Sequence, residues 1–215
     1  MKVVLLGATG KVGAPVREEL LARGHDVTAV VRDATRLPAE TAAFRHRPGD
    51  VFDDAFLTDA LAGAQVVVCS VALRDAAQRG RIPVELIRGV ARVSAAIGAR
   101  LVALGGAGSL RTATGEDLVD TAGFPAAARP ESLGFREALH GLIDDAPPEL
   151  VWTVVSPPMS IEVDGPRTGS YRVADDTLIT DDRGDSRISA ADLAVAVVDE
   201  VESPRHPRRR FTVGY

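Results

Sequence analysis

The sequence predicts an α/β fold: a doubly wound, mostly parallel sheet flanked by helices, built as a single domain over residues 1–215. Three observations carry this. Apolar runs of strand length and amphipathic runs of helix length follow one another as β, α, β, β, α, β, α, β within about a hundred residues, and short connections of this kind build parallel sheets with right-handed crossovers. The run Gln65 to Val71 is apolar on both faces, as a central parallel strand requires. The first apolar run, Val3 to Leu6, passes directly into a glycine series before the pattern turns helical. No internal repeat and no linker divides the chain.

The glycines, Gly7, Gly10 and Gly13, stand at the spacing G-x-x-G-x-x-G. Glycines at a strand-to-helix turn let the backbone bend sharply and approach a pyrophosphate, whose charge then lies at a helix N-terminus. The helix follows as Val12, Val16 and Leu20 at a spacing of four, with Pro15 in its first turn and Gly24 placed to end it.

A second strand, Asp26 to Val31, ends in Arg32, nineteen positions beyond Gly13. At this point an acidic residue accepts from a ribose 2′-hydroxyl, whereas an arginine accommodates a 2′-phosphate. Arg32 therefore favours NADP(H) over NAD(H), with Arg36 and Lys11 as additional cations. The alternative is that Arg32 is a surface residue and Asp33 holds the ribose. A short strand at Ala43 to Arg47 leads to Pro48-Gly49-Asp50, and Asp53 caps a helix to about Ala62 closed by Gly63. Asp50, at a strand's C-terminal end, either faces an adenine or serves the turn. The fourth strand's end, Ser70-Val71-Ala72, borders the crevice.

An arginine-rich connection, Arg74 to Arg81, precedes a helix from Pro83 to about Ile97 whose Leu86, Val90, Val93 and Ile97 form one apolar stripe. A fifth strand, Leu101 to Leu104, ends in Gly105-Gly106-Ala107-Gly108-Ser109. Residues 111–130 lapse into Gly, Thr, Pro and Ala and read as a substrate-side loop. A helix over Glu131 to Asp144 and a sixth strand over Leu150 to Val155 follow, and Ser156-Pro157-Pro158 then lies where a nicotinamide would sit. Gly165 to Thr180 reads as an irregular hairpin in a small C-terminal substrate-side segment. Ser189 with Asp192 resembles a helix-entry box opening Ala190 to Glu202, and Arg210 to Val213 closes as a last strand.

Composition narrows the chemistry. A net charge of −5 does not suggest nucleic acid, and the basic cluster Arg205, Arg208, Arg209, Arg210 reads as a solvated loop. No apolar run approaches the ~20 residues of a membrane span, and Met1 leads straight into a strand, so no signal peptide and a cytoplasmic location are expected. The single cysteine, Cys69, falls within an apolar run and is expected to be a buried, inert thiol. The four histidines are scattered, so no metal site is expected, and no G-x-S-x-G elbow occurs. The only lysines are Lys2 and Lys11, and neither Tyr171 nor Tyr215 has a lysine four residues on. Alcohol dehydrogenation through a tyrosine–lysine pair is therefore disfavoured. Hydride transfer to a flavin, quinone or similar planar acceptor needs little acid–base help, and Ser109 is the candidate hydroxyl to orient that acceptor; equally, it caps a loop.

Together these residues resemble the atypical short-chain dehydrogenase branch of NAD(P)H-binding proteins, which includes NADH-flavin reductases, NmrA-like proteins and biliverdin-IX-beta/flavin reductase. The resemblance rests on GATGKVG, VVRDATRLP, PGD, GGAGSL, WTVVSPP, GPRTGSYRV and SRISAADLA and spans nearly the whole chain. It implies that Gly7, Thr9, Gly10, Lys11, Val12 and Gly13 hold the pyrophosphate, Arg32 and Arg36 the 2′-phosphate, Asp50 and Val51 the adenine, and Val71 and Ala72 the ribose. It also places Ser109 at the active-site hydroxyl. Where flavin/biliverdin reductases carry a histidine after the two prolines, this chain has Met159, which argues against tetrapyrrole reduction. The resemblance implies a monomer or homodimer acting on a small molecule, with an NADP(H)-sensing protein of NmrA type as the alternative to a reductase.

Overall fold

A computed structural model describes residues 1–72 and 83–215; the arginine-rich connection lies outside them. Eight strands form one sheet in the order β3-β2-β1-β4-β5-β6-β10-β8. They are β1 (Lys2–Leu6), β2 (Asp26–Val31), β3 (Phe44–Pro48), β4 (Val66–Cys69), β5 (Arg100–Leu104), β6 (Trp152–Ser156), β8 (Arg172–Ala174) and β10 (Arg209–Gly214). All pairings are parallel except that of β8 on β10. The doubly wound, Rossmann-type sheet expected from the sequence is the fold observed.

Period-two alternation buries both faces. Val3 and Leu5 of β1 join the core against α1 (Gly13–Ala22) and the helix Ala190–Glu202, here α5. Val4 and Leu6 join the opposite core, against α2 (Asp54–Leu61), α3 (Pro83–Ala96) and α4 (Arg129–Asp145). Helix ends follow local chemistry. The Asp53 carboxylate accepts from the N–H groups of Ala55 and Phe56 at 2.9 and 3.0 Å. Gly24, at φ +76, closes α1 with the His25 N–H on the Leu20 carbonyl.

Buried in the interior, the Cys69 thiol has its pKa pushed up to about 11. The segment 111–130 is held by its neighbours: Leu118 and Val119 are buried, and Arg136 of α4 bridges Asp117 and Asp120 at 3.2 and 2.6 Å. No helix among the described residues is long and apolar enough to cross a membrane.

The C-terminal quarter departs from the expected pattern. Gly165 to Thr180 is not a hairpin: β8 pairs antiparallel with β10 at the sheet edge, while Leu178 N–H donates to the Arg111 carbonyl. A two-stranded parallel ribbon, β7 (Ser160–Glu162) with β9 (Arg187–Ser189), has no counterpart in the sequence reading. Ser189 does cap α5, accepting from Asp192 N–H at 2.9 Å, but the Asp192 carboxylate does not reach back. It accepts instead from Thr168 N–H (2.8 Å), Gly169 N–H (2.7 Å), the Thr168 hydroxyl and the Tyr215 hydroxyl (2.6 Å), and Asp192 is fully buried. These partners stand 23 or more residues away in sequence, which is why local patterning does not find them.

The same segment is tied to α1. Both Glu19 oxygens accept from Arg167, at 2.8 Å each, and Oε1 also from Arg23 Nε at 2.7 Å, while Arg23 bridges on to Asp199 and Glu202. The hydrogen bonds from Arg167 and then Arg23 outweigh the cost of burial and hold the Glu19 carboxyl down from 4.5 to about 2. A folded-state pKa below the unfolded one contributes stability at neutral pH that is lost as pH falls through that interval. Glu19→Gln is therefore expected to be less stable than the wild type at pH 7, and thermal melts should show the gap closing between pH 4.5 and about 2.

Candidate functional site: a cleft at the carboxyl ends of the strands

Strand order reverses between β1 and β4, and crevices in open α/β sheets form at such a point. A cleft of about 270 Å³ opens there, bounded by the glycine turn, the end of β2, the β3–α2 turn and the end of β4. Gly7, at φ +84, turns the chain out of β1 so tightly that a Cβ would stand 2.7 Å from the Ser70 carbonyl oxygen. Gly13 begins α1 against that turn: a Cβ there would stand 2.1 Å from Gly7 O and 2.6 Å from Ser70 Oγ. Gly10 differs, being exposed, with Gly7 O at 3.4 Å as the nearest neighbour of a Cβ. Two glycines thus let backbone and helix close on each other, and the third, its N–H held on the Gly7 carbonyl at 3.1 Å, turns a face without a side chain outward. No side chain caps α1 and its first turn holds no acidic residue, so its N-terminal dipole is open to an anion.

The remaining walls are apolar and then cationic. Val30, Val31, Val51, Phe52 and Val71 line a slot, and Arg32 stands exposed at its rim. The Asp33 carboxylate accepts from Thr35 N–H at 2.9 Å, which holds its pKa below the ordinary value, so it serves the turn Ala34–Arg36. Asp50 lines the cleft and also makes a turn, accepting from Phe52 N–H at 3.0 Å.

Of the residues singled out in the sequence, Gly7, Thr9, Gly10, Arg32, Asp50, Val51, Val71 and Ala72 line this one cleft. Gly13 packs beneath it, and Val12 lies against the α1–α5 core. Lys11 and Arg36 are exposed and are not among its lining residues. Pro157 is buried directly after β6 and does not line it either.

Two further residues build the site. Ser70 Oγ donates to the Leu6 carbonyl at 3.0 Å, clipping β4 to the glycine turn. Arg17 is buried and its Nη1 donates to the Ala8 carbonyl at 3.1 Å, bracing the same turn from α1. Ser70 is signalled by its place at a strand end. Arg17 falls off the Val12-Val16-Leu20 stripe and reads as solvated until the turn folds over it.

Ser109 lies elsewhere. It closes the short helical turn Ala107–Ser109 after β5, is 6% exposed, and both its Oγ and its carbonyl accept from Arg210 Nη1, at 2.8 and 2.7 Å. Arg210 is in turn paired with Asp176 at 2.6 Å. The tyrosine hydroxyls are committed as well. Burial and the hydrogen bond to Asp199 raise the Tyr171 pKa, and the Tyr215 hydroxyl meets Asp192. No group of three or more His, Cys, Asp or Glu side chains is arranged for a metal among the described residues.

The NAD(P)H-binding family matches residues 7–204. The uncharacterised protein YwnB of Bacillus subtilis is 36% identical over 99% of this chain and 98% of its own. A Bacteroides thetaiotaomicron structure provisionally named an epimerase superposes with a TM-score of 0.89 at 33% identity, covering 100% of this chain and 96% of the other. A Streptococcus pneumoniae structure provisionally named an NADH-flavin reductase gives 0.85 at 31%, covering 100% and 99%.

Proposed function

The chain belongs to the NAD(P)H-binding family, and from that premise we propose that it is a cytoplasmic NADPH-dependent reductase for a flavin, quinone or similar planar acceptor. One observation carries the cofactor half: Arg32 stands at the rim of the cleft while the nearby acidic candidate, Asp33, has its carboxylate on Thr35. An arginine there suits a 2′-phosphate. The side-chain-free face of Gly10 and the uncapped start of α1 suit the pyrophosphate, and Val51, Phe52 and Val71 would shield an adenine from water. Residues and ligand therefore fit.

When bound, the dihydronicotinamide supplies a hydride. What the chain adds is position rather than proton transfer: Tyr171 and Tyr215 present their hydroxyls to carboxylates, and neither lysine stands near a tyrosine in sequence. An acceptor that takes hydride without an enzymatic base, such as a flavin or quinone, suits such a site, and the provisional name of the Streptococcus pneumoniae relative points the same way. With Arg210 holding both its polar groups, Ser109 is proposed to act by fixing the turn after β5 against which the acceptor docks.

The test is NADPH oxidation followed with FMN, FAD and a quinone panel. The wild type is expected to turn over at least one of them, and Ser109→Ala to raise the KM for that acceptor several-fold with NADPH binding unchanged. Tight NADPH binding without oxidation by any acceptor would replace the reductase with a redox sensor of NmrA type.

A further inference from the structure

The basic cluster near the C-terminus is not a uniform solvated loop. Arg208, Arg209 and Arg210 line a second cavity, about 480 Å³, between α4 and the start of β10, which shares no lining residue with the dinucleotide cleft. Its charges do not balance. Arg210 is paired with Asp176, and Asp117 shares Arg136 with Asp120. Arg208 Nη1 alone donates to the carbonyls of Pro147, Pro148 and Leu150, at 2.8 to 3.2 Å, contacts that leave its charge unopposed. The side chains of Arg111 and Arg209 have no hydrogen-bond or ion-pair partner among the described residues, and the four lining arginines outnumber the three lining carboxylates, Asp117, Asp175 and Asp176.

Two details set the cavity apart from ordinary surface. Arg208 is the one non-glycine described residue with positive φ, +55, a backbone conformation that neighbours must hold in place; its N–H donates to the Trp152 carbonyl at 2.7 Å. Trp152 lines the cavity, is 2% exposed, and carries an indole N–H with no acceptor among the described residues. A buried donor without a partner is unfavourable.

We infer that this cavity is a binding site for a small oxyanion, the phosphate or carboxylate group of a metabolite, held by Arg111 and Arg209 with Arg208 supplying field. Guanidinium groups match the planar acceptor pairs of both anions. The inference does not rest on the reductase reading, and its test involves no hydride transfer.

Trp152 is the chain's only tryptophan, so its fluorescence reports on the cavity directly. Wild-type protein is titrated separately with inorganic phosphate and with citrate, each against sodium chloride at matched ionic strength. A saturable change is expected with at least one of them, and the probe that saturates names the group. Arg111→Gln with Arg209→Gln should weaken it tenfold or more, whereas Arg205→Gln, outside this cavity, should not. A response no different from chloride overturns the site, and so does saturation that the double variant leaves intact.

Discussion

Gly13→Ala is expected to be destabilised and to bind NADPH at least about tenfold more weakly. In an unobstructed helix position the added methyl would help by up to about 1 kcal/mol. Here it would enter 2.1 Å from the Gly7 carbonyl oxygen and 2.6 Å from Ser70 Oγ. The serine can rotate, giving up its bond to Leu6, but the carbonyl belongs to a turn at φ +84 that also accepts from Gly10 N–H at 3.1 Å. Moving it opens the phosphate loop, and overpacking of this kind costs about 1–3 kcal/mol or more. Gly10→Ala separates the two roles of the loop. Its Cβ would meet nothing closer than 3.4 Å, so the melting temperature should stay within a degree or two of wild type, about what a near-neutral change allows, while NADPH affinity falls. Thermal melts and NADPH titrations of both variants check the pair; a Gly10→Ala protein that binds as well as wild type would show that the pyrophosphate does not approach there.

A second large effect is expected at Asp192. Its two oxygens collect four donors from Thr168, Gly169 and Tyr215 in a fully buried place, so one side chain pins the 168–169 segment and the last residue to α5. Burial by itself would raise the carboxyl pKa, but the bonds from Thr168, Tyr215 and Gly169 outweigh it and hold the group below its ordinary range. Asp192→Ala leaves those donors without an acceptor, a loss of roughly 3–5 kcal/mol, or about 10 °C in melting temperature for a chain of this size. The contribution belongs to the ionised form, so the difference from wild type should shrink as pH falls through the carboxylate range. A melting temperature within about 2 °C of wild type at pH 7 would contradict the role given to this carboxylate.

What could be read in the sequence was what is local. The first thirteen residues carry strand, turn and helix in one stretch, and the structure keeps that order with Gly7 and Gly13 in close contact. Strand ends converge at one edge of a parallel sheet, so topology alone brings Arg32, Asp50 and Val71 together. Long-range polar pairing left no such trace. Ser109 meets Arg210 across 101 residues, Glu19 meets Arg167 across 148, and neither partner is marked by spacing. The same holds for the C-terminal quarter, where glycines and short apolar pairs suggested a hairpin. The strand there is instead selected by the open edge of β10, and the rest of the segment by Asp192 and Glu19.

The central claim is that the cleft takes NADP(H) through Arg32. The most direct measurement is the dissociation constant of NADPH and of NADH for wild type and Arg32→Ala. The wild type should prefer NADPH, and the substitution should weaken NADPH by roughly 10- to 150-fold, the 1.5–3 kcal/mol of a charge-assisted hydrogen bond, with NADH little changed. Equal affinity for the two nucleotides, or a preference for NADPH that survives Arg32→Ala, would contradict it.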